Sequence, residues 1–131
     1  MSENASARPL ATFEEFWPFY VGQHSKEGTR ALHFAGTTAG LAWLLAAAAF
    51  RRPHFLVHAL VSAYGLAWVG HFFIEKNRPA TFTYPLWSLE GDFRMYALMW
   101  QGKMSAEIER LRAGASAEKT AAGPRRPDAT S

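Results

Sequence analysis

Three histidines and one glutamate are the residues of this chain best suited to chemistry. His33 and His71 lie inside two long stretches without Asp, Glu, Lys or Arg, His24 precedes the first stretch, and Glu75 follows the second. Ionisable groups in so apolar a setting are costly, so each one needs a reason. Neutral imidazoles with a carboxylate suit iron, zinc or manganese, and several histidines with one carboxylate suit an oxygen-activating ferrous iron.

The two apolar stretches are the elements that must position these side chains. Residues 31–50 and 54–74 are each long enough, at about 1.5 Å per residue, to cross the roughly 30 Å hydrocarbon core of a bilayer. The short segment 51–53, with two arginines and a proline, separates them. Because neither stretch has a polar face, a soluble helical bundle is the weaker alternative. The pattern predicts a helical hairpin of two membrane spans, over about 27–50 and 54–75.

The hairpin places His33 and His71 at the same depth. His33 lies 18 residues before Arg51, and His71 lies 18 residues after Pro53, so each is roughly 27 Å from the turn. Glu75 follows His71 by four residues and shares its helix face. His24, in the segment that enters the first span, can fold back over the same end. We therefore expect three imidazoles and one carboxylate to converge there, although a simple hydrogen bond between His71 and Glu75 is the alternative.

Other residues of the spans have simpler interpretations. His54 and His58 are expected to form interhelical or interfacial hydrogen bonds. Glu90 and Asp92 can add ligands, but carboxylates near the start of a helix commonly interact with its dipole. Four glycines of the two stretches are expected to let the helices approach closely rather than to bind phosphate. They are Gly36, Gly40, Gly65 and Gly70.

The segments outside the hairpin complete an all-α chain. We expect residues 1–11 to form a flexible arm without a secretory signal and residues 12–112 to form a single helical membrane domain. Residues 113–131 are rich in Ala, Gly, Ser, Thr and Pro, and we expect them to form a disordered tail. Before the hairpin, aromatic residues at helical spacing predict a short or kinked amphipathic helix. After it, a last helix is expected over about 88–113, and its first part is too polar to be a lipid-exposed span.

Composition and flanking charge narrow the function and the location. The absence of cysteine excludes disulfides, zinc–thiolate sites and a thiol nucleophile. No nucleotide-binding loop, Ser-His-Asp order or nucleic-acid module is present, so no nucleic acid partner is expected. Four basic residues flank the open end of the hairpin and two lie in its turn, which predicts cytoplasmic termini. The localisation expected is integral to the membrane, the inner membrane in a bacterium or the endoplasmic reticulum in a eukaryote.

Two segments of the sequence resemble a known family. Y-V-G-Q-H-S-K-E-G-T-R-A-L-H-F-A-G, at 20–36, and Y-G-L-A-W-V-G-H-F-F-I-E-K-N-R-P-A, at 64–80, are similar to the 2-hydroxy fatty acid dioxygenases, over about residues 12–105. The resemblance implies iron(II)-dependent α-oxidation, in which a 2-hydroxy fatty acid reacts with molecular oxygen and loses one carbon. It implies Fe²⁺ ligands at His24, His33 and His71, with Glu75 as the acidic, catalytic residue.

The fatty acid oxidation that the resemblance implies agrees with the predicted membrane topology. A fatty acid dissolves in the bilayer, and its carboxylate would reach the headgroup level, where we expect Arg30, Lys76 or Arg78 to pair with it. The alternatives are a non-enzymatic membrane protein whose histidines and glutamate tie helices together or bind lipid, and a proton or metal conduit. The sequence leaves open whether the chain forms a homo-oligomer.

Overall fold

The computed structural model describes residues 8–123, and within that range the secondary structure is helical, without strands. The all-α prediction is therefore confirmed. Five α-helices and two short helical turns follow in the order α1 (Phe13–Gly22), α2 (Glu27–Phe50), α3 (Phe55–Val69), a π-helical turn (Gly70–Glu75), a 3₁₀ turn (Ala80–Phe82), α4 (Pro85–Trp100) and α5 (Met104–Ala122).

The short first helix carries the aromatic core. Thr12 caps its N-terminus by accepting a hydrogen bond from the Glu15 backbone N–H, at 3.2 Å, an arrangement typical of the Thr-x-x-Glu spacing. Phe16, Trp17 and Tyr20 are almost fully buried, and they pack against α4 and α5 in a cluster that includes Met95 and Met104. The amphipathic face of α1 therefore covers the protein interior.

The central hairpin is formed by α2 and by α3 with its π-helical extension. The helices approach closely because Gly36 and Gly40 face the backbone of α3: a Cβ at Gly36 would lie 3.0 Å from the Ala63 carbonyl oxygen, and one at Gly40 would lie 3.3 Å from that of Ala59. This confirms the role predicted for the glycine pair. Gly70 similarly faces Thr29, whereas Gly65 has no neighbour within 4 Å, so the prediction for Gly65 was wrong.

The outer surface of the hairpin is apolar. The helices Glu27–Phe50 and Phe55–Glu75 are long and apolar enough to cross a membrane, yet only 17% and 22% of their apolar stretches are buried within the protein. Leu45, Val61 and Phe73 are each more than 60% exposed. A core helix of a soluble protein would bury such side chains, and an exposed apolar surface of this extent needs a cover. The exposure therefore favours membrane association.

The C-terminal part differs from the prediction of one helix over 88–113. A break at Gly102, whose φ is +65°, separates α4 from α5, because a left-handed glycine ends a helix while satisfying its last carbonyls. Helix α5 then continues to Ala122, so the first ten residues of the expected tail, 113–122, are helical. Their Ala, Glu and Lys content favours helix even without burial. Residues 124–131 of the tail, and residues 1–7 of the expected arm, lie outside the described residues.

Candidate metal centre

Three histidines from separate parts of the chain meet at one end of the hairpin. His24 follows α1, His33 lies in the second turn of α2, and His71 lies in the π-helical turn. The Nε2 atom of His33 lies 3.0 Å from that of His24 and 3.2 Å from that of His71. All three side chains are buried, and their ligand atoms lie within 4.8 Å of one another. The predicted convergence of three imidazoles is therefore confirmed.

The outer nitrogens of two of these rings establish which nitrogen carries the proton. Nδ1 of His24 lies 2.7 Å from the carbonyl oxygen of Tyr20, which can only accept. Nδ1 of His71 lies 2.7 Å from Oδ1 of Asn77, whose Nδ2 donates to the Gln23 carbonyl at 3.0 Å. Both Nδ1 atoms are therefore donors, and in the neutral rings both Nε2 atoms carry a lone pair.

The lone pairs on Nε2 of His24 and His71 show whether the site suits a cation. The Nε2 atoms of His24 and His71 both face Nε2 of His33, and a single proton on His33 can satisfy only one of them. A metal ion among the three nitrogens would satisfy all of them. Metal-bound histidines commonly donate their other N–H to a carbonyl or carboxylate, as His24 and His71 do here. The donor set and its hydrogen bonds therefore fit a metal ion.

A carboxylate and a phenol support the inner side of the site. Asp92, on α4, lies 3.5 Å from Nδ1 of His33 and accepts a hydrogen bond from the Tyr20 hydroxyl. The Tyr20 ring packs on His24, with 4.1 Å between the ring centroids. Burial raises the pKa of Asp92 to about 6, and burial followed by the charge of Asp92 raises that of Tyr20. A hydrogen-bonded Tyr20–Asp92 pair thus links α1 to α4 beside the histidines.

His24 is held in the uncharged form that a metal ligand requires. Its side chain is 1% exposed, and burial, followed by the repulsion of a charged His33, lowers its pKa well below the usual 6.5. Arg30 fixes the loop that carries it, since the guanidinium donates to the carbonyl oxygens of His24 and Ser25, both at 2.8 Å. Arg30, predicted to bind a substrate carboxylate, is therefore engaged with this loop.

Glu75 lies at the edge of the site rather than among the histidines. It is absent from the group of mutually close ligand atoms. Its carboxylate accepts hydrogen bonds from the Ser25 hydroxyl, at 2.9 Å, and from the Lys26 backbone N–H. His71 and Glu75 both lie in the π-helical turn, so the α-helical spacing used for the prediction does not apply. Its contacts connect the end of the second span to the loop that carries His24.

The two other predicted carboxylate-binding residues line an open groove. Lys76 and Arg78 surround it together with Asn77, Phe72 and Phe82, and its volume is about 670 Å³. Because Asn77 contacts Nδ1 of His71, this groove lies behind the imidazole, away from Nε2. Lys76 has a left-handed backbone, with φ +61°, at the end of the π-helical turn.

His54 and His58 lie at the turn of the hairpin, at the opposite end from the other histidines. Nδ1 of His58 lies 3.1 Å from the His54 carbonyl oxygen, and its ring packs on Trp43 of α2 with 4.8 Å between centroids. The contact with Trp43 connects the two helices, so the structural role expected for this pair is supported.

A small cavity adjoins the three histidines. Its volume is about 10 Å³, which is room for about one water-sized group. Tyr64 and Ser88 line it along with the histidines and Asp92. The Ser88 hydroxyl is buried and has no hydrogen-bond partner in the described part of the chain, and such an orphaned group is costly unless a ligand or water satisfies it.

Comparison with known proteins matches the sequence of this chain to a family. Residues 10–104 match the family described as 2-hydroxy-palmitic acid dioxygenase Mpo1-like. The chain belongs to this family. No curated protein and no solved structure matches the chain significantly. The Mpo1-like match covers all three histidines, and it confirms the family expected from the two sequence segments.

Several residues of this Mpo1-like site were not found from the sequence. Tyr20 and Asn77 lie inside the two segments that carry the resemblance, yet nothing in their type or spacing indicates contact with a histidine. Asp92 was considered as an added ligand or as a partner of the helix dipole, without any link to His33, and Ser88 was not singled out. Asp92 could have been found from its position, since it lies seven residues after Pro85 at N1 of α4, beyond the reach of the helix N-terminus.

Proposed function

We propose that this chain is an iron(II)-dependent dioxygenase that shortens 2-hydroxy fatty acids by one carbon in the membrane. The observation that carries the proposal is the convergence of three buried Nε2 atoms, at 3.0 and 3.2 Å, in a member of a family named for this activity. Imidazole nitrogens suit iron(II), and three protein ligands leave positions open for other molecules.

The overall reaction balances without a further reductant. The hydroxy acid and O₂ give a fatty acid one carbon shorter, carbon dioxide and water; the bond between C1 and C2 breaks, and both oxygen atoms are reduced. Bound Fe²⁺ would supply the Lewis acid that orients the hydroxy acid and the redox chemistry that activates O₂. His24, His33 and His71 would hold it.

The chain's own residues would position ligands and substrate. Asn77 and the Tyr20 carbonyl hold His71 and His24 with Nε2 inward, and Asp92 faces the outer nitrogen of His33. Lys76 and Arg78 would attract the substrate carboxylate to the headgroup level, since both lie exposed at the open end of the hairpin. The catalytic role of Glu75 stays a prediction.

The topology is part of the proposal. The site lies at the open end of the hairpin, which the flanking positive charges assign to the cytoplasmic face. A fatty acid in the bilayer would then meet the metal centre at the depth of its own carboxyl group. Iron, oxygen and a 2-hydroxy fatty acid are the partners, and assembly into a homo-oligomer is not required by this arrangement.

Metal content and turnover test the proposal together. Protein purified anaerobically in detergent is loaded with ferrous iron, and bound iron is measured in the wild type, in His71→Ala and in His58→Ala. His58 is a matched control, since it lies on the same span but is exposed at the turn. We expect stoichiometric iron, and conversion of 2-hydroxypalmitic acid to the acid one carbon shorter, in the wild type and the control only. A folded wild type that binds no iron would instead favour a structural or lipid-binding role.

A further inference from the structure

A second, larger cavity lies along the lipid-facing side of the hairpin. It has a volume of about 380 Å³ and runs between α2, α3 and α4. Its lining is aliphatic or aromatic apart from one glycine and three polar residues: Thr37, Gly40, Leu41, Leu44, Leu56, Ala59, Leu60, Ala63, Tyr64, Leu89, Asp92 and Phe93. We call this cavity the hairpin groove.

The polar end of the hairpin groove lies at the metal centre. Tyr64 and Asp92 line both the groove and the small cavity beside the three histidines. Thr37 is one helical turn after His33, on the same face of α2. The polar residues of an otherwise apolar groove are therefore gathered at its histidine end.

The other end of the groove runs toward the turn of the hairpin. From Tyr64 to Leu56, helix α3 follows the groove for roughly 12 Å at 1.5 Å per residue. At Leu44 and Leu56 the groove meets a further open hollow that reaches Arg51 and Pro53. Several lining residues, including Leu60, are more than 40% exposed, so the groove is open to the surrounding hydrocarbon along its length.

We propose that the hairpin groove binds the alkyl chain of the 2-hydroxy fatty acid, with the carboxyl end at Tyr64 and Asp92. This inference rests on the proposed function. The cavity among the histidines has room for about one water-sized group, so the substrate's chain must lie outside it. The hairpin groove is the neighbouring space that is apolar, elongated and continuous with the histidines through shared residues.

The polar groups at the head of the groove and in the small cavity that adjoins it match a hydroxy acid. The hydroxyls of Tyr64, which lines both spaces, and of Ser88, which lines the small cavity, can donate to a carboxylate. Asp92 can accept from a 2-hydroxyl group. Ser88 is 2% exposed and its hydroxyl has no hydrogen-bond partner among residues 8–123, so a bound head group would satisfy a donor that is otherwise orphaned. An unsubstituted fatty acid would leave the Asp92 acceptor without the hydroxyl.

Crosslinking maps the alkyl chain without requiring turnover. The probe is a 2-hydroxypalmitic acid analogue with a diazirine in the middle of its chain, photolysed with the iron-free and the iron-loaded protein in detergent. We expect label on Leu41, Leu44 and Leu60, and we expect unlabelled 2-hydroxypalmitic acid to compete better than palmitic acid. Label spread over the outward residues Leu45 and Val61, without competition, would overturn the proposal.

A pair of variants on α2 tests the same inference through substrate preference. Leu41→Trp fills the groove, whereas Leu45→Trp, one turn later, adds the same side chain on a surface that is 73% exposed. We expect Leu41→Trp to raise KM for 2-hydroxypalmitic acid by about tenfold or more, since displacing two buried methylenes suffices for that change. Short-chain 2-hydroxy acids should be affected less, and iron content should not change.

The two proposals fail in different ways. Equal KM values for Leu41→Trp and Leu45→Trp in an active, iron-loaded protein would overturn the groove and leave the dioxygenase in place. A wild type without iron or turnover would remove the dioxygenase, and competed label confined to the hairpin groove would then still support an alkyl-chain site.

Discussion

His33 and His71 face each other across the hairpin with 3.2 Å between their Nε2 atoms, although 38 residues separate them in the chain. Two nitrogens in this position need a shared proton or a cation between them. The outer nitrogen of His71 is fixed by Asn77, so the ring cannot turn its lone pair away without losing that bond. A shared proton or a metal ion would fill this position, and the three histidines could hold a metal ion there.

Asn77 should determine iron affinity without touching iron. Asn77→Ala removes the acceptor that holds Nδ1 of His71, and loss of such an outer partner typically costs about 10- to 100-fold in metal affinity. Asn77→Asp keeps an acceptor for His71 and loses only the donor to the Gln23 carbonyl, so it should bind iron more tightly than Asn77→Ala. Iron titration of the purified variants measures the difference. Equal affinity in both variants and the wild type would contradict the role given to Asn77.

Two substitutions of Glu75 distinguish a catalytic role from a positioning role. A catalytic carboxylate predicts that iron-loaded Glu75→Gln loses about 10²- to 10⁴-fold in kcat while its iron content stays normal. The contacts with Ser25 and Lys26 predict that Glu75→Ala loosens the loop that carries His24 and so weakens iron binding. Iron affinity and kcat are measured on both variants. Normal values of both quantities in both variants would remove Glu75 from the site altogether.

The contact between α1 and α5 should make the free energy of unfolding fall at acid pH. Glu107 accepts a hydrogen bond from the Trp17 indole at 2.8 Å. The hydrogen bond from Arg110 and then that from Trp17 lower the pKa of Glu107 from 4.5 to about 2. Because the folded state holds this carboxylate ionised, its contribution to stability is present above about pH 4.5 and is lost as pH falls through about 2.

Thermal unfolding in detergent checks this sign. Glu107→Gln should lower Tm at pH 7, and its difference from the wild type should shrink steadily below pH 4.5. Glu109→Gln is the control, since Glu109 is exposed on the same helix. A constant difference between Glu107→Gln and the wild type from pH 7 to pH 3 would contradict the assignment.

The proposed membrane hairpin predicts where introduced cysteines are protected. The chain has no native cysteine, so single substitutions report without interference. Val61 is 65% exposed on the protein, yet Val61→Cys should resist an aqueous thiol reagent in intact membranes. The same cysteine should be labelled quickly after the membranes are dissolved and the protein is denatured. Arg52→Cys, in the turn, should react with an impermeant reagent from the side opposite the termini. Rapid labelling of Val61→Cys in membranes would count against the spanning model.

The sequence alone determined the hairpin and the meeting of its two histidines. A helix rises by a constant amount per residue, so two apolar stretches joined by a short turn have a calculable register. His33 and His71 are equally far from the turn, and that is enough to bring them together. His24 was expected to fold back over the same end of the hairpin, and the family segments agreed with that, although its exact place depends on the loop after α1. These predictions succeeded because they depend on local geometry and on chain connectivity.

Only the tertiary structure decided what surrounds those histidines. Asp92 faces His33 because α4 docks on the hairpin at one particular angle and rotation, which no spacing along the chain encodes. The π-helical turn changes the direction of residues after Gly70, so Glu75 turns to the Lys26 backbone and Asn77 takes the place beside His71. The hairpin groove lies between three helices, so the sequence of no single helix predicts it. The sequence specified which histidines meet through their equal distance from the turn, whereas the packing of helices distant in the chain decided their hydrogen-bond partners and the space beside them.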